Sequence, residues 1–132
     1  MKINYVENEN GKLFSFFRHD YKDNTDKNGD FIMIDGGFDY SRYTGKLKSG
    51  EIKDLMPVIR EQFKWGQNYD EKGNRLEKTE YKLLKDLTTT HISGILRYFT
   101  ERLTVNTTLD RSWISIHLIF IYELENRLKN DR

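Results

Sequence analysis

Arg18, His19 and Asp20 stand side by side in the stretch Phe14 to Tyr43, which also carries Asp35, the pair Gly36-Gly37, Tyr40 and Arg42. A guanidinium grips a phosphate through two parallel hydrogen bonds. An imidazole next to it can bond a phosphate, a ribose or a base. Tyr40 and Arg42 are two residues apart, so on a strand they share a face and pair a stacking ring with a cation. These are the minimum groups for holding an adenine and its phosphate. Gly36-Gly37 can bring backbone N–H groups close to an anion, or can simply make a turn. Plainer alternatives stand beside each of these. Arg18 can pair with Asp35 or Asp39, Asp20 can cap its loop, and Tyr40 with Arg42 can form an outward pair on a solvated sheet face.

A second set lies toward the C-terminus. His91, Tyr98 and Arg102 follow one flank of an apolar helical stripe, with Arg97 farther round. Asn106 and Arg111 sit at the joint between two helices, where Arg111 at a free helix N-terminus would aid anion capture or pair with Asp110. His117 reads as a core or interface histidine and Trp113 as packing. The expected ligand-binding set is therefore Arg18, His19, Tyr40, Arg42, Tyr98, Arg102, Asn106 and Arg111. No catalytic residues, metal ligands or cofactor are expected.

The elements that must position these groups follow from periodicity. Lys2 to Val6 alternates as a strand, and Lys12 to Arg18 is a second strand rich in Phe. Asp20 to Asp30 reads as a polar loop with a turn at Asn28-Gly29. Phe31 to Ile34 is a buried strand, Asp35-Gly36-Gly37 a tight turn, and Phe38 to Tyr43 a returning strand. Thr44 to Gly50 reads as a connection. Asp54 to Lys64 suggests a short helix with Pro57 in its first turn, ended by Trp65-Gly66. Gln67 to Lys78 reads as a polar hairpin tip and Thr79 to Leu84 as a late strand.

Thr88 to Leu103 is a helix capped by Thr88 or Thr89, with the stripe Ile92, Ile95, Leu96, Phe99 and Leu103. Val105-Asn106-Thr107 is a tight joint, and Thr107 with Asp110 makes a weak capping box. Leu109 to about Lys129 is a final helix that is apolar around most of its circumference. Such a helix is covered on more than one side, either by a second subunit or by the sheet and the preceding helix. The expected class is α+β: an N-terminal antiparallel β-meander sheet followed by two C-terminal helices. One domain spans 1–132, with a β-rich part to 85, a short helix near 54–64, and a helical hairpin over 86–132.

Composition narrows the function. The 132 residues suit one core. Lys and Arg total 22 against 21 Asp and Glu, a net charge of +1, which disfavours general nucleic-acid binding and leaves room for a small anion. There is no Cys, so thiolate zinc sites and Cys nucleophiles are excluded. MKINYVENEN has no apolar run, so no signal peptide is expected. Ile116 to Tyr122 is too short to span a bilayer.

The motif Arg18-His19-Asp20-Tyr21, a variable loop, then Ile34-Asp35-Gly36-Gly37-Phe38-Asp39-Tyr40-Ser41-Arg42 resembles a group of small bacteriophage proteins. Phe63-Lys64-Trp65-Gly66 and Leu84-Lys85-Asp86-Leu87-Thr88-Thr89-Thr90-His91-Ile92 also look like that group, and the likeness runs from about Leu13 to Leu103. The characterised family it resembles is the first family of Thoeris anti-defence proteins. These are homo-oligomeric sponges that capture the cyclic ADP-ribose-type signal made by TIR-domain enzymes without cleaving it. Some also hold cyclic oligonucleotides at separate sites. The resemblance implies an anti-defence sponge acting in the host cytoplasm. Its partners would be a small cyclic nucleotide and further copies of the chain through the C-terminal helix, with no nucleic acid and no membrane. Relatives with cysteines between the motif halves imply nothing here, because this chain has none.

Two rivals come from other classes. His19, Asp20 and Asp35 could form a metal-dependent nucleotide hydrolase, although the chain has no G-x-S-x-G, P-loop or H-E-x-x-H motif. The charged surface also suits a protein-binding inhibitor of a host defence enzyme.

Overall fold

The computed structural model describes residues 1–38, 41–70, 72–105 and 111–130, with 102–105 and 111 described by their backbone alone. Its elements run β1 (Lys2–Asn8), β2 (Gly11–Leu13), β3 (Lys22–Thr25), β4 (Phe31–Asp35), β5 (Arg42–Thr44), β6 (Lys48–Glu51), α1 (Ile52–Ile59), β7 (Lys64–Tyr69), β8 (Arg75–Leu83), a 3-10 turn (Leu84–Asp86), α2 (Thr89–Val105) and α3 (Arg111–Asn130). The fold is α+β, with the last two helices at the C-terminal end. The strands form three small antiparallel sheets in the orders β2-β1-β6, β3-β4-β5 and β7-β8.

Several elements fall elsewhere than the sequence pattern places them. The second strand stops at Leu13. From Phe14 on, the backbone leaves the ladder because side chains take its polar groups. Gln62 accepts from the Phe14 N–H and donates to the Lys12 carbonyl, and Asp20 accepts from the Phe16 N–H. The segment Asp20 to Asp30 contains β3, which pairs with β4, so it is not simply a loop. β6 likewise begins within the expected 44–50 connection, runs on to Glu51 and pairs with β1. The short helix begins at Ile52 and ends at Ile59, and Pro57 lies in its body on the exposed side. Trp65 and Gly66 do not terminate a helix but belong to β7.

The Asn28-Gly29 turn is present and is organised by Asp26. This carboxylate is buried, which opposes its charge, but the N–H groups of Asp30, Glu9 and Asn28 prevail and lower its pKa. Thr88 caps α2 by accepting from the His91 N–H at 3.1 Å. The joint after Val105 and the Thr107–Asp110 capping box lie outside the described residues.

One aromatic core holds these pieces together. Phe14, Phe16, Phe63 and Phe120 are fully buried with Ile52, Met56, Ile59, Leu84, Ile92 and Ile119. Burying each such side chain contributes about 1.5–3 kcal/mol. Phe63 sits edge-on to Phe16 and Phe120 at 5.1 and 5.5 Å between ring centroids. Val6, Ile32 and Ile34 make a smaller cluster between β1 and β4.

A buried ion triad clamps the helices. Glu123 of α3 is fully buried and takes both Nε and Nη2 of Arg60 at 2.9 and 3.0 Å, and Nε of Arg127 at 2.8 Å. Arg127 continues to the Leu84 carbonyl and the Thr89 hydroxyl, tying α3 to the 3-10 turn and the start of α2. α3 therefore lies against α1 and α2 through Ile116, Ile119, Phe120 and Glu123, while Ile114, Ile121 and Leu128, seven residues apart, remain exposed.

Candidate functional site

The chain from Phe16 to Lys22 makes a tight excursion that closes on itself. Ser15 Oγ donates to the Asp20 carbonyl at 2.7 Å, and the Asp20 N–H bonds the Phe17 carbonyl at 3.1 Å. Arg18 and His19 sit at its tip and are exposed. Gly37 braces the excursion from behind. Its N–H donates to Ser15 Oγ at 2.9 Å. Its φ is +74°, and a Cβ there would stand 2.8 Å from the Phe17 carbonyl carbon. Only glycine allows both the left-handed backbone and that approach.

In front of this excursion lies a groove of about 1090 Å³. Its floor is Phe16, Phe17, Gly36, Gly37 and Phe38. One wall is the excursion itself, Arg18 to Lys22. The facing wall comes from the β7–β8 hairpin (Lys64, Trp65, Gly66, Tyr81) and the start of α3 (Ser112, Trp113, Ile116). The volume is slightly above the roughly 300–1,000 Å³ usual for small-ligand sites.

The groove combines rings with cations. Lys22 is largely buried; its Nζ donates to the Phe14 carbonyl at 2.6 Å and to Asp20 at 3.1 Å, and stands 4.6 Å from the centre of the Phe16 ring. Burial lowers its pKa, the Asp20 carboxylate offsets part of that effect, and the like charge of Lys64 adds to it. Lys22, Lys64 and Arg18 thus face a groove whose lining includes a single carboxylate, that of Asp20, among the described residues. Asp20 already accepts from the Phe16 N–H and from Lys22. Trp113 meets Phe99 edge-on at 5.4 Å and also lines the groove, so it both packs and presents a half-exposed ring.

Of the eight expected ligand-binding residues, the structure brings Arg18 and His19 together in this groove. Arg42 stands apart: β5 begins at it, and its guanidinium pairs with Asp35. Asp35 is therefore taken by Arg42, and Arg18 has no ion pair among the described residues. Tyr98 is half-exposed on α2 beside the Phe99 ring and does not line the groove. Tyr40 and Asn106 lie outside the described residues, as do the side chains of Arg102 and Arg111. His117 is half-buried near Phe99, and its Nδ1 has no hydrogen-bond partner among the described residues.

Sequence reasoning passed over Lys22, Lys64, Trp65 and Tyr81. The alternation Lys64-Trp65-Gly66-Gln67 was the available signal, since it reads equally as a strand with Trp65 and Gln67 turned inward. Among the described residues no cluster of three or more His, Asp or Glu is placed to hold a metal ion. None of the described helices is long and apolar enough to cross a membrane.

Comparison with known proteins finds no matching family model, no matching curated protein and no matching solved structure.

Proposed function

We propose that this chain is a phage anti-defence sponge. It binds a cyclic ADP-ribose-type signal in the groove, holds it uncleaved in the host cytoplasm, and so blocks Thoeris signalling. The observation that carries the reading is the groove itself, in which Arg18, Lys22 and Lys64 stand among Trp65, Tyr81 and Trp113. Cations around one concavity with the exposed rings of Tyr81 and Trp113 suit a ligand made of phosphates and a planar base. Asp20 is engaged by a backbone N–H and by Lys22, which favours holding a ligand over general acid–base work on it. Capture needs only tight binding and slow release.

The sponge acts as a homo-oligomer through the exposed face of α3. Ile114, Ile121 and Leu128 recur every seven residues, the spacing of a helix-pairing seam.

The test is to incubate the protein with cyclic ADP-ribose made by a TIR enzyme, remove unbound material, and then heat. Intact signal released on denaturation supports the sponge. Degraded signal would mean an enzyme, and no depletion would leave an inhibitor that binds protein. Light scattering on the native chain and on Ile121→Glu tests the oligomer, which the charge should split.

A further inference from the structure

Tyr81 is 69% exposed, the most exposed aromatic ring among the described residues. It is not loose on the surface. In the β7–β8 register Tyr81 stands directly opposite Gly66. A Cβ built on Gly66 would fall 2.8 Å from Tyr81 Cε1 and 3.2 Å from Thr79 Cγ2. The ring thus fills the space that a side chain at position 66 would occupy. Thr79 is held in turn by its hydroxyl bond to Asn68 at 2.6 Å. A glycine inside a strand weakens it, and an aromatic seated across from the glycine is a known compensation. That pairing alone would serve in any hairpin, but here Tyr81 and Gly66 also line the groove, together with Lys64 two residues along the same face.

We infer that Tyr81, seated on Gly66, is the stacking shelf for a planar base, while Lys64, Lys22 and Arg18 form the corner that takes the attached phosphate. This assignment rests on the reading of the groove as a nucleotide-signal site and says which wall reads the base. A ring already seated loses little freedom when a ligand arrives, so its contact area goes into affinity. The lowered pKa of Lys22, to which the charge of Lys64 contributes, agrees with a corner where positive charge is concentrated.

The probes are adenosine 5′-monophosphate and ribose 5-phosphate, which share sugar and phosphate and differ by the base. Calorimetry on the native chain should find the nucleotide bound roughly tenfold more tightly, the scale of one base on one aromatic ring. Tyr81→Ala should bring the two probes to within about twofold, while Tyr81→Phe keeps the preference, because the ring stacks and the hydroxyl does not. Gly66→Ala, whose methyl displaces the ring, should reduce the preference with Tyr81 still present. A merely structural role for Tyr81 would change stability but not the ratio between the probes, and circular dichroism checks that each variant is folded. Equal affinity for the two probes, no binding of either at millimolar concentration, or a preference that survives Tyr81→Ala overturns the shelf. Failure of the sponge reading looks different: cyclic ADP-ribose is not depleted, yet the base preference and its loss in Tyr81→Ala remain.

Discussion

Replacing Gly37 by alanine sets a methyl group 2.8 Å from the Phe17 carbonyl carbon and 2.9 Å from its oxygen, at a residue whose φ is +74°. Two costs add. The left-handed backbone costs an L-residue about 1–2 kcal/mol. The contact is with backbone that no rotamer change can move aside, so Phe17 must shift, at about 1–3 kcal/mol by analogy with overpacked cores. The sum is about 2–5 kcal/mol. At roughly 4 °C per kcal/mol for a chain of this length, the Tm should fall by about 8–20 °C.

Gly73 supplies the control. Its φ is +83° and nothing lies within 4 Å of an added Cβ, so Gly73→Ala should show the conformational cost alone, about 1–2 kcal/mol. Thermal unfolding followed by far-ultraviolet circular dichroism compares the two. Because Phe17 leads directly into Arg18 and His19, the groove wall moves with it, and Gly37→Ala should also weaken anion capture where Gly73→Ala does not. Equal melting shifts for both variants would show that the Phe17 contact is not tight and that Gly37 does not brace the excursion.

Glu123→Gln removes the charge shared by Arg60 and Arg127 inside the protein and should cost about 3–5 kcal/mol in urea unfolding, as when one member of a buried ion pair is lost; a change near zero would mean that the triad is dispensable. Arg18→Ala should weaken capture of a phosphate-bearing ligand with little change in stability. Arg42→Ala should do the reverse, because the buried Asp35 carboxylate loses its ion partner, at about 1–2 kcal/mol; equal loss of capture in both would move the site toward β5. Lys22 binds an anion only while protonated, and burial lowers its pKa. Capture should therefore weaken as pH rises through a value below the ordinary 10.5 of lysine, and Lys22→Arg should shift that decline to higher pH. A titration flat up to the ordinary lysine value would remove Lys22 from the site.

The α+β class, the Asn28-Gly29 turn, the Thr88 cap and the α2 stripe through Ile92, Ile95 and Phe99 were legible in the sequence. The turn and the cap depend on sterics and hydrogen bonds within a few residues, and the stripe and the class on hydrophobic periodicity. β3 (Lys22–Thr25) and β6 (Lys48–Glu51) were not, because they are short and polar and bury none of their residues fully. Without an apolar alternation nothing marks such segments as strands until a neighbour pairs with them. Trp65-Gly66 misled for a related reason: the glycine looks like a helix stop, yet it answers to Tyr81 across the hairpin.

The chain by itself determined which cationic and aromatic groups were available to line a groove, and Arg18 with His19 could be named from their types and adjacency alone. Only the tertiary structure decided their company. Burial of Phe16 and Phe63 in one core brings the Arg18–Lys22 excursion, the β7–β8 hairpin and the start of α3 around one groove. The same packing leaves Arg42 outside, committed to Asp35. Local patterns are written in neighbouring residues, whereas partners such as Glu123 with Arg60, or Tyr81 with Gly66, are set by register and by which faces the core buries. A short window of sequence carries neither.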